Sequence, residues 1–367
     1  MKILKDDVSI FILAGGRGRR FWPLSREKKP KQFLPIFNGQ SMLKMTYNRF
    51  KKITKNKNIY IITSLSQVNL IKKQLPYLKS ENLVIEPEPK GTAAAIGLAA
   101  VKMKTISPQG IMVVVPADQH VQGEADFRKV IIKAINAAKL EDVLITIGVK
   151  PSFASTGYGY LKFGKRTKIG RGFFYNVDKF TEKPSKKMAL RYIKFKKYYF
   201  NSGMFIWKTS TYLEELKIYM PKLYKILIDI AKKEKKFNSK KNINKISSIY
   251  KKIKSTSVDY GLMQKTDNIK AEKATFKWSD LGSLRSLEEI SLKVKGNTVI
   301  NTLNIAKDTK NCIIYGKKDH LIATIGISNL IIIQTPDVTL VANKDNVQKI
   351  KNMVNKISKN KNTKKFT

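Results

Sequence analysis

Cysteine and histidine are almost missing: among 367 residues there is one cysteine, Cys312, and there are two histidines. A single thiol excludes an internal disulfide and a thiolate metal cage, and so few imidazoles argue against a zinc site, which leaves a hard cation on carboxylate oxygens as the expected metal. Long apolar runs are missing too. No segment approaches the roughly 18 residues of a membrane span, and Met1–Ser9 carries charges where a secretion signal needs an apolar centre, so a soluble, cytoplasmic protein without a membrane role is expected. Acidic residues are scarce, 27 against 72 lysines and arginines, a formal net charge of +45.

Such a charge invites a nucleic-acid reading, because basic proteins bind phosphate backbones through counterion release. The excess is nearly all lysine, however, with 10 arginines among the 72 basic residues, and the lysines are spread with Asn and Ile along every segment. Dispersal of that kind points to compositional bias and against a dedicated nucleic-acid surface. At 42% hydrophobic, the chain can bury a sizeable core and reads as more than one domain.

The most informative stretch runs from Leu13 to Phe33, L-A-G-G-R-G-R-R-F-W-P-L-S-R-E-K-K-P-K-Q-F. It follows an apolar run, Val8 to Ala14, with the look of a buried strand, so Gly15, Gly16 and Gly18 fall where the strand ends and the chain turns. Bare backbone there exposes N–H donors. Arg19, Arg20 and, about ten residues on, Lys31 add positive charge, a combination suited to a triphosphate. Neither common phosphate motif fits: there is no Gly-Lys-Ser/Thr ending, and Phe21 stands where a dinucleotide fold would place its third glycine.

Short β-branched runs at Val8–Leu13, Ile59–Thr63, Leu83–Ile85, Ile111–Val115 and Val143–Ile147 alternate with helical segments near Ser41–Lys51, Ser66–Leu78, Thr92–Lys104 and Asp126–Lys139. That alternation predicts a parallel sheet covered on both faces, with ligands beyond the carboxyl ends of its strands. After Ser283–Ile290 the pattern changes to evenly spaced short strands, Thr298–Ile300, Asn311–Tyr315, Leu321–Ile325, Leu330–Gln334 and Thr339–Ala342, which predicts a small all-β domain. A helix, Asp345–Ile357, and a basic, disordered tail, 358–367, are expected to follow. The domain boundaries expected are therefore 1–290, 291–357 and 358–367.

Further motifs carry chemistry. Asp118 ends V-V-V-P-A-D just past a strand, and Asp280 lies in W-S-D-L-G beside the strand-like run Ala274–Phe276; two carboxylates with substrate phosphates would suit Mg²⁺. Glu182 and Lys183, in F-T-E-K-P, set an acceptor beside a cation, and Asn201 and Gly203, in N-S-G-M-F, offer an amide and a close backbone approach. Gly157, in G-Y-G-Y, would offer backbone groups, and Glu86 with Gly91-Thr92 forms a turn before an Ala-rich helix. Read singly, Asp118 is as well explained as a helix cap and Glu182–Lys183 as an exposed ion pair.

Taken together, these motifs resemble the sugar-1-phosphate nucleotidyltransferases, and W-P-L-S-R with P-K-Q-F resembles the mannose-1-phosphate guanylyltransferase branch. The resemblance spans about Phe11 to Val354. It implies an α/β, Rossmann-like domain with a mostly parallel sheet, then a short left-handed β-helix, and synthesis of GDP-mannose from GTP and mannose 1-phosphate with release of diphosphate. In this reading Leu13, Ala14, Gly15, Gly16, Gly18, Arg19, Arg20, Lys31, Glu86, Thr92 and Asp118 meet the nucleotide. Asp118 and Asp280 hold Mg²⁺, and Gly157, Glu182, Lys183, Asn201, Gly203 and Asp280 meet the sugar phosphate. Some relatives continue into a phosphomannose isomerase domain, so a monofunctional enzyme is expected.

Four positions depart from the family pattern. Gln119 replaces a His, Gln264 a Glu, Leu284 a Trp, and Arg19 a small hydroxyl residue. A related transferase of other specificity and a weakly active regulatory subunit are the competing readings. The C-terminal strands are expected to form a small β-helix that packs on the catalytic half and on a second subunit, contributing assembly, as a homodimer or higher homo-oligomer, and no chemistry.

Overall fold

The structure, a computed structural model, describes residues 4, 6–16, 18–36, 39–289, 291 and 293–367, so the expected domain boundary at Ile290 lies outside the described residues. It divides into two compact units that interleave along the chain: Met1–Gly15, Lys44–Ala117 and Val121–Trp278 form one, and Gly16–Leu43, Asp118–His120 and Ser279–Thr367 form the other.

The first unit is built on a nine-stranded sheet in the order 83–86, 59–64, 8–13, 111–116, 198–208, 144–149, 269–273, 172–181, 160–169. The first four strands run parallel, as their continuous apolar sequences predict, and each is buried almost throughout. Register places Leu13 opposite Pro116 and Ser64 opposite Glu86, so the carboxyl ends of these strands share one edge. The long strand Tyr198–Lys208 is antiparallel to both neighbours, and pairing of Gly148 with Asn201 carries its first residues to the carboxyl end of Leu144–Val149. A chain reversal thus delivers Asn201 to the ligand-binding edge. The run Ala274–Phe276 is not a strand; the strands lie on either side, at Ile269–Lys273 and Lys277–Ser279.

In the second unit, Asn297–Ile300, Ile313–Tyr315 and Leu330–Gln334 pair in parallel, and Thr339–Asn343 closes that sheet antiparallel. Leu303–Lys307 pairs in parallel with Leu321–Ile325. Ile313 lies opposite Ile331 and Leu303 opposite Leu321, 18 residues apart in both cases, the rung repeat of a β-helix-like coil. Asn301, Asp308, Asn311, Asn329 and Gly326 adopt left-handed backbone at its corners, where short polar side chains and glycine are tolerated best. The strand Leu303–Lys307 carries little signal in the sequence because it holds a single β-branched residue, Ile305.

One expectation changes here. Residues 358–367 are ordered: a helix runs through Lys359, Lys364–Phe366 forms a single turn, and the Phe366 carbonyl accepts a hydrogen bond from Trp22 Nε1 at 2.7 Å. Specific acceptors hold a segment whose composition alone favours solvation. Phe21, Trp22, Leu34 and Met42 share one buried core with Leu281, Leu284, Leu287, Ile313, Ile331, Ile333, Leu340, Val347, Ile350 and Val354. The glycine-rich stretch therefore packs on the β-helix-like coil.

Candidate active site

Three constellations hold the residues singled out above, one in the second unit and two in the first.

In the second unit, Gly18 turns with φ of 62°, and a Cβ there would come within 2.5 Å of Lys31 Cβ, so both the dihedral and the close approach call for glycine. Ser25 Oγ donates to the Gly18 carbonyl at 2.7 Å, and Gln32 Nε2 to the Gly16 carbonyl at 3.0 Å. Lys31 is 4% exposed, and its ammonium donates to Asp118 Oδ2 and to the Asp280 carbonyl, both at 2.9 Å. A buried ammonium is tolerated only when paired, and here a single cation ties the Asp118 carboxylate to the main chain of Asp280. Hard oxygen donors from two aspartates fit Mg²⁺, which takes few protein ligands and keeps several waters. Among the described residues no group of three or more His, Cys, Asp or Glu is placed to hold a metal. Arg20 lies partly exposed on the single turn Arg19–Phe21. Arg19 donates to Asn355 Oδ1 at 2.9 Å.

The second constellation lies at the strand edge of the first unit. Leu13 and Ala14 close the first strand, and a Cβ on Gly15 would sit 3.6 Å from Glu86 Oε2. Glu86 is buried and accepts from the Tyr250 hydroxyl at 2.6 Å; burial pushes its carboxyl up to about 7, with the Tyr250 bond opposing. Gly91 has φ of 85°, and a Cβ there would meet the Thr256 carbonyl at 2.4 Å, so again only glycine fits. Thr92 Oγ1 accepts from Val258 N at 2.9 Å.

The third constellation follows one residue later, through Asp259. Asn201 Nδ2 donates to Asp259 Oδ1 at 3.1 Å, while Asn201 Oδ1 accepts from Thr146 Oγ1 at 2.8 Å and from Gly203 N at 3.2 Å. Glu182 is buried and pairs with the exposed Lys183 ammonium. Its amide donates to Gln264 Oε1 at 3.1 Å. Lys183 has left-handed backbone, φ 46°, and its amide donates to the Tyr158 carbonyl at 3.2 Å. Burial opposes the charge on Lys183, but bonding to Glu182 and the field of Asp259 outweigh it and raise the pKa. Burial, then the Glu182 charge, push the Asp259 carboxyl up to about 6. Gly157 is partly exposed next to these residues in sequence, its amide donating to Ser155 Oγ at 3.1 Å.

Sequence reasoning misses Asp259 and Tyr250. S-V-D-Y-G-L-M-Q draws attention only at Gln264, although the aspartate falls on a π-turn, Asp259–Met263, a rare geometry frequent at functional sites. Tyr250 leaves no signal within its lysine-rich helix, Lys240–Lys251.

The chain is similar to known proteins over most of its length. The family described as Nucleotidyl transferase matches residues 10–297, and that described as MannoseP isomerase/GMP-like beta-helix domain matches residues 303–357. An Escherichia coli mannose-1-phosphate guanylyltransferase is 35% identical over 94% of this chain and 74% of its own length. The xanthan biosynthesis protein XanB of Xanthomonas campestris pv. campestris is 33% identical over 96% of this chain and 73% of its own. A Thermus thermophilus structure described as mannose-1-phosphate geranyltransferase superposes with a TM-score of 0.84 at 29% identity, covering 96% of this chain and 99% of that one. The chain belongs to the nucleotidyl transferase family of enzymes, within its mannose-1-phosphate guanylyltransferase branch.

Proposed function

We propose that this nucleotidyl transferase joins GTP and α-D-mannose 1-phosphate to give GDP-mannose and diphosphate. The observation that carries the reading is the buried Lys31 ammonium gathering Asp118 and Asp280 beside the glycine turn. A phosphate oxygen of the sugar attacks the α-phosphorus of GTP; that O–P bond forms as the bond to the bridging oxygen breaks, and diphosphate leaves with the electron pair. The protein supplies position and charge, with neither a nucleophilic side chain nor a general base required.

Lys31 and Arg20 hold the triphosphate, with backbone N–H groups of Gly15, Gly16 and Gly18 facing its oxygens. Glu86 and Thr92 belong to the turn that borders the base. Asp118 and Asp280 would hold Mg²⁺, which when bound neutralises charge on the phosphates. Lys183 meets the phosphate of the sugar, while Glu182 and Asn201 accept and donate to its hydroxyls, with Gly157 and Gly203 offering backbone.

A homo-oligomer in the cytoplasm is part of this reading. Leu303, Ile305, Leu321 and Ile325 stand 51% to 71% exposed on the paired strands 303–307 and 321–325, an apolar face suited to a second copy. No helix among the described residues is long and apolar enough to cross a membrane.

The test is diphosphate release across a panel of nucleoside triphosphates and sugar 1-phosphates. The highest kcat/KM is expected for GTP with mannose 1-phosphate. A different best pair would keep the chemistry and overturn the specificity; no turnover with any pair would favour a regulatory subunit.

A further inference from the structure

Trp22 and Arg26 of the signature stretch have no role at a phosphate in the reading above, and Arg19, expected at the nucleotide, shares with them a bond to a residue more than 300 positions later. Arg19 Nη1 donates to Asn355 Oδ1 at 2.9 Å, and Trp22 Nε1 to the Phe366 carbonyl at 2.7 Å. Arg26 reaches furthest. Its guanidinium donates to Asp337 Oδ1 at 2.9 Å, to Thr335 Oγ1 at 3.3 Å and to the Phe366 carbonyl, while its Nε donates to the Pro23 carbonyl at 2.7 Å. Its side chain is 16% exposed, and Thr335 Oγ1 bonds Asp337 Oδ1 at 3.0 Å, so the fork meets a prepared acceptor set.

Between Gly18 and Leu34 the chain has two single helical turns, Arg19–Phe21 and Lys31–Phe33, and one isolated bridge between Arg26 and Lys29, and it joins no sheet. Its position is therefore dictated by what it packs on. Phe21, Trp22 and Leu34 enter the core formed by Ile313, Ile331, Leu340, Ile350 and Val354.

We propose that the β-helix-like segment is a positioning element for catalysis: Arg26, with Arg19 and Trp22, fastens the signature loop to residues 335–366 and thereby sets where Lys31 meets Asp118 and Asp280. This rests on the functional reading above. Arg26 is a positioning residue, acting through Lys31. Displacement of such a loop by about 1 Å can lower turnover by roughly a hundredfold in a reaction that depends on alignment.

The experiment compares Arg26→Ala, Arg26→Lys, Asp337→Ala and the Arg26→Ala/Asp337→Ala pair by amide hydrogen exchange and steady-state kinetics. Arg26→Ala is expected to raise exchange across Gly18–Phe33 by at least about tenfold while Ile59–Ser64 keeps its protection. Its kcat should fall by about tenfold or more with the KM for mannose 1-phosphate unchanged. Arg26→Lys should recover part of kcat, and Asp337→Ala should add little to Arg26→Ala. Unchanged exchange in the loop, a loss of protection spread equally to Ile59–Ser64, or a raised sugar-phosphate KM at full kcat would each overturn the proposal. Should Arg26→Ala be insoluble, Asp337→Asn and removal of Lys364–Thr367 submit to the same exchange measurement. A parent enzyme without GDP-mannose synthesis would remove the functional reading and leave the exchange result standing, so the two failures are distinguishable.

Discussion

The residues proposed to meet the sugar and those proposed to meet the triphosphate are held by different physics. Asn201, Glu182 and Asp259 sit on or beside the strands and the π-turn of the sheet unit, and the polar atoms that orient them belong to that same unit: Thr146 Oγ1, the Gly203 amide, Gln264 Oε1. Lys31 rides on a loop with little regular structure, placed by an apolar core and by hydrogen bonds to residues 335–366. Hydrogen-bonded strands resist displacement by themselves, whereas a loop takes its rigidity from its bed. The contrast says where each half should be fragile: the sheet half to loss of a single hydrogen-bond partner, the loop half to changes in the core and acceptors it rests on.

The largest test of that contrast removes charge at the loop. Asp118→Asn keeps shape and loses the charge that balances Lys31 and the proposed Mg²⁺, so turnover should fall by about a hundredfold or more, about 3 kcal/mol of transition-state stabilisation. Circular dichroism should hardly move, but the unfolding midpoint should fall, because the buried Lys31 ammonium loses its carboxylate partner and keeps only the Asp280 carbonyl. Near-normal Mg²⁺-dependent turnover would remove Asp118 from the site.

A smaller separation is expected between the two lysines. Lys183→Ala should raise the KM for mannose 1-phosphate more than that for GTP, and Lys31→Ala should do the reverse or lower kcat directly, as its contact strengthens when diphosphate leaves. Each effect should be about tenfold or more. Equal effects of both changes on both substrates would erase the assignment of one cation to each half.

Asn201 sharpens the sheet side. Its amide bonds Asp259, Thr146 and Gly203 at once, so Asn201→Ala takes a partner from the Asp259 carboxylate and from the Gly203 amide, while Thr146 Oγ1 keeps the Met204 carbonyl. A loss of about 1 to 3 kcal/mol in stability is expected, with a raised sugar-phosphate KM. Denaturant titration checks the first and initial rates the second; a fully stable variant with altered kcat alone would contradict the single-partner picture.

The contrast also explains what sequence can disclose. Strands 8–13, 59–64, 83–86 and 111–116 are legible because burial on both faces leaves continuous β-branched runs, and Gly18 and Lys31 are legible because a phosphate turn needs glycine and charge close together. The bracing of that turn is not. Arg26 and Asp337 are 311 residues apart, and no local pattern links them. Residues 358–367 read as solvated for the same reason: composition counts lysines, while order comes from the Phe366 carbonyl meeting Trp22 and Arg26. Asp259 is hidden because its importance lies in a neighbour, Asn201, 58 positions away.

The mildest prediction concerns pH and the sheet edge. The Glu86 carboxyl stands at about 7 against an ordinary 4.5, because burial disfavours its charge more than the Tyr250 hydroxyl favours it. Between those values the folded protein binds more protons than the unfolded chain, so this group's contribution to stability is complete below about 4.5 and is lost as pH rises through about 7. The shift corresponds to about 3 kcal/mol at most. Asp259, raised to about 6 from 3.8, pulls in the same direction over a lower window. Glu86→Gln stays neutral and still accepts from Tyr250, so its stability relative to the parent should rise as pH goes from 5 to 7.5, with a residual slope left to Asp259 below about 6. Denaturant unfolding of both proteins at those two pH values reads the difference directly. Parallel pH profiles would mean that Glu86 already titrates as an ordinary carboxylate, and that the turn Glu86–Thr92 is more open to water than its burial beside Tyr250 implies.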